Sequence, residues 1–249
     1  MDHTHRFDGK GAVYARSRPQ YAEGLLEYLK STLGITAGSV FADVGSGTGI
    51  FTAQLLACGC RVFAVEPNDD MRKQAEGLLA GEPRFCSVSG SADNTGLPDQ
   101  SVDFVSAAQA FHWFAPETFR KECRRILRPG GRVLLVYNCR DENAACTRAL
   151  AALQRRYGPA FRGFSNGMNE ETCLAFFTGA CQIYRTANTQ YYNRQGYLDR
   201  VSSSSHSPKE TDARYAAFQK ELHVLFDRFA TDGKIAVPTD TVAYIGSVF

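Results

Sequence analysis

Asp43, the alternating glycines Gly45, Gly47 and Gly49, and Glu66 are the residues whose types and spacing could do chemistry together. They sit in VFADVGSGTGIF, Val40 to Phe51, and at the end of RVFAVE, Arg61 to Glu66. Glycine lets the backbone take positive φ and come close to a ligand with no Cβ in the way. The helix that starts after the loop adds unpaired N–H groups and positive dipole character. A plain strand-to-helix turn rarely needs three alternating glycines. The chemistry implied is therefore the cradling of a nucleotide-like ligand. Glu66 lies about 20 residues past the start of the loop, where nucleotide binders place an acid on the ribose hydroxyls. A carboxylate can accept from both hydroxyls at once.

The loop departs from the dinucleotide pattern G-x-G-x-x-G, because Ile50 stands where its third glycine belongs. Asp43 would also repel a pyrophosphate. It suits a ligand with a cationic end, either by direct contact or by fixing the loop backbone. A nicotinamide-dependent oxidoreductase shares the glycine loop and the terminal acid; Ile50 and Asp43 argue against it. A second candidate is His112, within QAFHWF at Gln109 to Phe114. An unperturbed imidazole titrates near neutrality, so this residue could act as a base or orient a substrate. The alternative is that it caps the helix beginning near Pro116.

These groups need rigid elements to place them. Apolar runs read as strands at Val40 to Val44, Arg61 to Glu66, Arg84 to Ser89, Val102 to Ala108 and Arg132 to Asn138. Helical patterns alternate with them: Glu23 to Leu33, the glycine loop to about Ala57, a helix started by Pro67 and Asn68, and Pro116 to Leu127. That alternation gives a three-layer α/β sandwich with a mostly parallel sheet, and the ligand belongs at the carboxyl ends of the first strands. Further on, Arg140 to about Thr178 reads as helical, Gln182 to Tyr192 as one β-like run, Glu210 to Phe229 as an amphipathic helix and Lys234 to Phe249 as a final strand.

Composition narrows the function classes. The chain has 249 residues, 44% hydrophobic and 22% charged, with net charge +2. That suits one domain over 1–249: an arm and helix at 1–34, a cofactor-binding core at 35–139, and a substrate cover with the final strands at 140–249. A near-neutral balance gives no push towards nucleic acid or membrane. Arg120, Lys121, Arg124, Arg125 and Arg128 read as a solvated helix face. No apolar stretch is long enough to span a bilayer, and the first residues are polar, unlike a signal peptide. The 8 cysteines are scattered without a CxxC pair, so no metal site is expected and they read as free thiols in a reducing cytoplasm.

DVGSGTG at Asp43 to Gly49 resembles the first motif of the class I S-adenosylmethionine-dependent methyltransferases, in their small-molecule group (methyltransferase type 11, with the ubiquinone/menaquinone-biosynthesis and trans-aconitate types). Tyr14, Arg18, Pro19 and Tyr21 are similar to that group's Y-x-x-x-R-P-x-Y lead-in. Gly90 to Asp93 with Leu97-Pro98, Ala108 to Trp113, and the L-x-P-G-G turn at Leu127 to Gly131 also match common segments.

The resemblance implies a Rossmann-like sheet of seven strands, the last antiparallel, and S-adenosylmethionine as cofactor, leaving as S-adenosylhomocysteine. It implies cofactor contacts at Tyr14, Arg18, Asp43, Gly45, Ser46, Gly47, Thr48, Gly49, Glu66, Pro67, Met71, Ser91, Ala92, Asp93 and Gln109. Ser91 departs from the group, which often has Asp or Asn there. Arg200, Ser203, Ser205 and His206 resemble an R-x-x-S-x-S wall of the substrate pocket; as plain sequence the same serine run reads as a linker. Tyr137 is a further substrate candidate, and His112 and His206 are the catalytic candidates. The implied reaction is in-line methyl transfer to a small-molecule O-, carboxyl or C-nucleophile; a protein that binds the cofactor without transfer is the other possibility. Arg140 to Thr178 and Tyr197 to Ser207 are expected to close over the acceptor. Arg200 and His206 would then favour an acidic or oxygen-bearing one. A monomer or weak dimer is expected.

Overall fold

Strand Val40–Val44 is buried on both faces, which is why it carries no alternation: Phe41 points to one side and Val44 to the other, and both are sealed from water. The computed structural model describes residues 19–158, 161–164, 168–204 and 206–249. Within them the first half of the chain runs Glu23–Leu33 (α1), Val40–Val44 (β1), Ile50–Ala57 (α2), Arg61–Val65 (β2), Asp69–Leu78 (α3), Phe85–Val88 (β3), Val102–Ala108 (β4), a short 3-10 turn Phe111–Trp113, Pro116–Ile126 (α4) and Leu127–Arg140 (β5). The second half runs Ala145–Tyr157 (α5), Glu170–Ala175 (α6), Gln182–Ala187 (β6), Gln190–Asn193 (β7), Arg194–Ser202 (α7), Tyr215–Phe229 (α8), Ala230–Thr231 (β8), Lys234–Val237 (β9) and Thr239–Gly246 (β10).

The main sheet has seven strands in the order β3-β2-β1-β4-β5-β10-β6. Strands β1 to β5 pair in parallel, and β10 is antiparallel to both of its neighbours. This is the expected mostly parallel sheet with its last strand reversed. Period-two alternation along β5 feeds two cores. Leu134 and Val136 meet α1 and α2 on one face. Val133, Leu135 and Tyr137 meet α4 and the Phe111, Phe119 and Phe176 rings on the other. The strand order reverses between β1 and β4, so the crevice at their carboxyl ends is open to a ligand.

A second, smaller sheet in the order β7-β9-β8 forms a cap with α5, α7 and α8 around its own core, which includes Leu150, Tyr197, Phe218 and Phe226. Two expected single elements divide to build it. The run Gln182 to Tyr192 breaks between Ala187 and Gln190, and the run from Lys234 breaks at Pro238. Pro238 has no N–H to give a ladder. The pairing register nevertheless carries through: Asp240 faces Ala187, Asn188 N donates to Thr239 O at 2.7 Å, and Val237 faces Gln190. One antiparallel ribbon thus leaves the main sheet and becomes the cap. Strand β9 is joined to β8 by a two-residue hairpin at Asp232 and Gly233, with φ of 50° and 73°, the pattern of an Asp-Gly type I′ turn.

Three further expectations change. The helix from Glu210 begins only at Tyr215. The fifth strand begins at Leu127 rather than Arg132, because Leu127 already pairs with Val102. The stretch Arg140 to Thr178 does not act as one cover. Its α6 end packs against the main sheet, where Tyr244 Oη donates to Glu170 Oε2 at 2.8 Å and Arg120 Nε to Phe176 O at 2.7 Å. Phe176 and Phe177 belong to that core for the same reason. All eight cysteines are free. No described helix is long and apolar enough to cross a membrane, and no metal-ligating cluster occurs among the described residues.

Candidate functional site

The glycine loop lies at the carboxyl end of β1, and all three of its glycines have positive φ, 69°, 57° and 84° in order. A Cβ on Gly45 would come within 2.7 Å of Ala110 Cβ, and one on Gly49 within 3.1 Å of Ala75 Cβ. Those two pack the loop against the chain after β4 and against α3. Gly47 is different: nothing lies within 4 Å of its would-be Cβ. It is the loop's open point, at the rim of a cavity of about 540 Å³.

Two acids stand under this loop in different ways. Asp43 is fully buried and does not line the cavity. Its carboxylate accepts from Thr52 Oγ1 at 2.6 Å and from Ser106 Oγ at 2.8 Å, tying α2 to β4 beneath the glycines. Burial pushes its pKa up to about 6; the Thr52 and Ser106 hydrogen bonds oppose the shift and the charge of Glu66 adds to it. Asp43 thus joins the elements beneath the loop through the Thr52 and Ser106 side chains. Glu66 does line the cavity, from the end of β2. Its oxygens accept from the N–H of Gly47 and of Asn68, each at 2.9 Å, leaving each oxygen a second acceptor site. Burial raises the pKa of Glu66 as well, against these two backbone bonds.

The rest of the expected cofactor set assembles around them. Gly45, Ser46, Gly47, Thr48, Pro67, Met71, Ser91, Ala92, Asp93 and Gln109 line the same cavity; Gly49 is behind the loop. Asn68 caps α3 by accepting from Met71 N at 3.0 Å, and Met71 lines the cavity from that first turn. Ser91 Oγ donates to Asp93 Oδ1 at 2.6 Å. Gln109 has φ 54°, a left-handed turn for a non-glycine, and its Nε2 donates to Asn138 O at 3.1 Å. That turn swings the chain from β4 into the Ala110 to Ala115 wall. Ser46 Oγ and Thr48 Oγ1 are buried and have no hydrogen-bond partner among the described residues. Buried hydroxyls of this kind are normally paired.

The other half of the cavity is built where the cap meets β5 and β10. Asn138, Arg140, Phe164, Gln190, Tyr192, Arg200, Val237 and Thr239 line it, with Trp113 and Phe114. Of the described residues expected at the substrate and catalytic positions, only Arg200 is among them. Tyr137 is buried on the α4 side of β5, with its ring 6.1 Å from His112. His112 lies against Trp113 and Tyr137 rather than on the cavity lining. It does not cap α4 either, since Ala115 holds that position with no side-chain cap. Ser203 Oγ donates to Arg200 O at 3.0 Å, and His206 packs edge-on against Phe161. Tyr14, Arg18 and Ser205 lie outside the described residues.

Several lining residues were missed in the sequence. Asn138, Arg140 and Thr239 sit at strand ends, and the carboxyl-end rule applied to the fifth strand would have marked Asn138 and Arg140. Gln190, Tyr192 and Val237 reach the cavity only because the ribbon bends, and no local pattern marks that. Tyr21 arrives through a long-range pair: Tyr21 N donates to Gln54 Oε1 at 3.0 Å and Gln54 Nε2 to Tyr21 O at 2.8 Å.

Comparison with known proteins agrees with this architecture. Residues 42–135 match the family described as methyltransferase domain. A methyltransferase of Mycobacterium tuberculosis, itself uncharacterized, is 32% identical over 239 residues, spanning 95% of this chain and 93% of its own. Among solved structures, a protein described as a type II methyltransferase from Anaeromyxobacter dehalogenans superposes with TM-score 0.68 at 22% identity, covering 93% of this chain and 98% of that one. A Haemonchus contortus phosphoethanolamine N-methyltransferase, solved with S-adenosylhomocysteine, gives TM-score 0.55 at 16% identity over 99% of this chain and 59% of its own.

Proposed function

This chain belongs to the class I S-adenosylmethionine-dependent methyltransferases, and we propose that it carries methyl groups to a small organic acceptor seated between the main sheet and the cap. In this reading the cofactor occupies the glycine-loop half of the cavity and the acceptor occupies the cap half. The observation that carries the placement is the pair of buried hydroxyls, Ser46 Oγ and Thr48 Oγ1, which line the cavity at the open Gly47 and have no partner among the described residues. A polar ligand against the loop satisfies them.

Glu66 takes the ribose hydroxyls on its remaining acceptor sites, as its position at the end of β2 supports. Met71 and Pro67 flank the adenine ring, and Ser91, Ala92 and Asp93 meet its polar edge. Gln109 and the Gly45 backbone border the methionine part, with the negative charge of Asp43 buried just behind them. Bound there, S-adenosylmethionine supplies a methyl group made electrophilic by its sulfonium. The chain's share is positioning. Holding an acceptor in line with that methyl removes the entropy cost of their encounter. The cap aromatics Phe164 and Tyr192, with Trp113, keep water out while they do so. None of the described lining residues of the cap half is a histidine; His112 packs against Trp113 and His206 against Phe161.

The test is a calorimetric titration with S-adenosylmethionine, followed by transfer of labelled methyl to a metabolite panel. Native protein should bind, and Gly47→Val should lose at least about tenfold in affinity, since a β-branched residue is strained at φ 57° and fills the loop's open point. Failure of native protein to bind the cofactor sinks the proposal; binding without transfer to any acceptor leaves only a cofactor-binding protein.

A further inference from the structure

We propose that Glu122, a buried residue of α4 that is not on the cavity lining, is a positioning residue for the adenine end of the cofactor: its carboxylate holds the turn that reads the purine's amino edge. This rests on the methyl-transfer reading above and on the seat it gives to Ser91, Ala92 and Asp93.

Residues 89–101, between β3 and β4, contain neither helix nor strand. A connection of that length presents a fixed surface only if something anchors it. Its cavity-facing part is a tight turn, in which Ser91 N donates to Asn94 O at 3.0 Å and Asn94 N to Ser91 O at 3.3 Å. The chain enters the turn at Gly90 and leaves it at Thr95, and the two lie close. A Cβ on Gly90 would come within 2.7 Å of Thr95 O. Where Thr95 is held, both ends of the turn are held.

Thr95 is fully buried, and its N–H and its hydroxyl both donate to Glu122 Oε1, at 2.8 and 2.5 Å. Arg125, one turn further along α4, completes the anchor. Its Nη2 and Nε donate to the two oxygens of Glu122 at 2.7 and 2.8 Å, and its Nη1 donates to Asp99 Oδ1 at 2.7 Å. The basic helix face expected to be solvated thus commits Arg125 to this loop. Burial raises the pKa of Glu122, but the Arg125 and Thr95 hydrogen bonds outweigh it and hold the group below its ordinary value. The carboxylate receives four donors, two from Thr95 and two from Arg125, which is its full acceptor capacity. An amide in its place would turn N–H groups towards donors.

Within the turn, Ser91 Oγ donates to Asp93 Oδ1 at 2.6 Å, so Asp93 is oriented and keeps acceptor sites for an amino group. Adenine presents an amino donor and a ring-nitrogen acceptor at that edge. Hypoxanthine presents the reverse, a carbonyl oxygen and a ring N–H. A fixed turn tells the two apart, because the wrong base leaves acceptor facing acceptor. A loosened turn can pair with either, so discrimination between the bases reads the anchoring.

The measurement is calorimetric binding, to the full chain, of S-adenosylhomocysteine and of its inosine counterpart, in which a carbonyl replaces the adenine amino group. Native protein should bind the adenine form at least about tenfold more tightly. Glu122→Gln and Thr95→Val should each lower that ratio by about fivefold or more. Thr95→Ser keeps the hydroxyl and should hold the ratio within about twofold of native. Tyr244→Phe removes the hydrogen bond to Glu170 from the same side of the sheet without touching the turn, and should leave the ratio native. Thr95→Val carries the test if Glu122→Gln fails to fold. Four results would each overturn the proposal: a native ratio near one, Glu122 and Thr95 variants that weaken both ligands equally, Thr95→Ser behaving as Thr95→Val does, or Tyr244→Phe lowering the ratio as far as Glu122→Gln. Failure of native protein to bind S-adenosylhomocysteine would instead overturn the methyl-transfer reading beneath it.

Discussion

Asp43 stores an electrostatic cost beneath the glycine loop. Its folded pKa of about 6 lies above the unfolded carboxylate value of 3.8, so the folded state holds this proton more tightly. The stability it contributes is full below about pH 4 and is lost as pH rises through about 6, a loss of roughly 3 kcal/mol from two pKa units. Asp43→Asn keeps the shape and part of the Thr52 and Ser106 bonding without the charge. It should raise Tm by a few degrees at pH 7.5, and thermal melts across pH 4 to 7 should show a shallower fall in stability than native. The cost has a use if the cofactor is cationic. Native protein should favour S-adenosylmethionine over S-adenosylhomocysteine more strongly as pH rises through about 6, because only the former carries the sulfonium charge. Competition titrations at pH 5 and pH 8 measure this, and in Asp43→Asn the ratio should stay nearly flat. That an acid stood before the glycines was legible in the sequence. That Asp43 would be sealed under them was not, because its partners Thr52 and Ser106 come from separate elements.

At the scale of elements, the bent ribbon holds the cap to the sheet. Thr241, fully buried in β10, is a knot in that join. Its hydroxyl donates to Asn138 Oδ1 and accepts from Ala22 N and from Asn188 Nδ2, each at 3.0 Å. Thr241→Val leaves those partners short and should cost about 1–3 kcal/mol in denaturant unfolding. Inside the cap, Gly158 follows α5 with its would-be Cβ only 2.3 Å from His206 O. Gly158→Ala must push the 206–207 turn off α5, where Gln154 Nε2 donates to Ser207 Oγ at 2.9 Å. We expect acceptor KM to rise severalfold while cofactor Kd stays near native; an equal loss of both would mean that the cap and the loop are not separable. Sequence patterns located the elements from Glu23 to Asn138 well, since each is a local period bounded by Gly or Pro, as Gly34 and Pro116 bound theirs. They failed on the ribbon. Gln182 to Tyr192 keeps one β pattern while its two halves serve different sheets, and only partners distant in sequence decide where it bends.

Across the whole molecule, the two faces of the main sheet and the cap are three packed cores, and the cavity lies between the last and the first two. Hydrogen exchange should therefore resolve two cooperative units, with α5, α7 and α8 opening at lower free energy than β1, β4 and β5. Adding an acceptor together with S-adenosylhomocysteine should slow exchange in the cap and leave the central strands unchanged. The ribbon's unbroken register also bears on how such a protein diversifies. One residue inserted into a single strand, β7 or β9, turns every later side chain to the opposite face unless a bulge absorbs it. Insertions of matched residues in both strands, or insertions in the Asp232-Gly233 turn that joins β8 to β9, leave the β7–β9 register unchanged. Lineages descended from such a scaffold should therefore vary in paired steps along the ribbon and freely at the β8–β9 turn. Acceptor preference could then drift while the glycine loop is inherited intact.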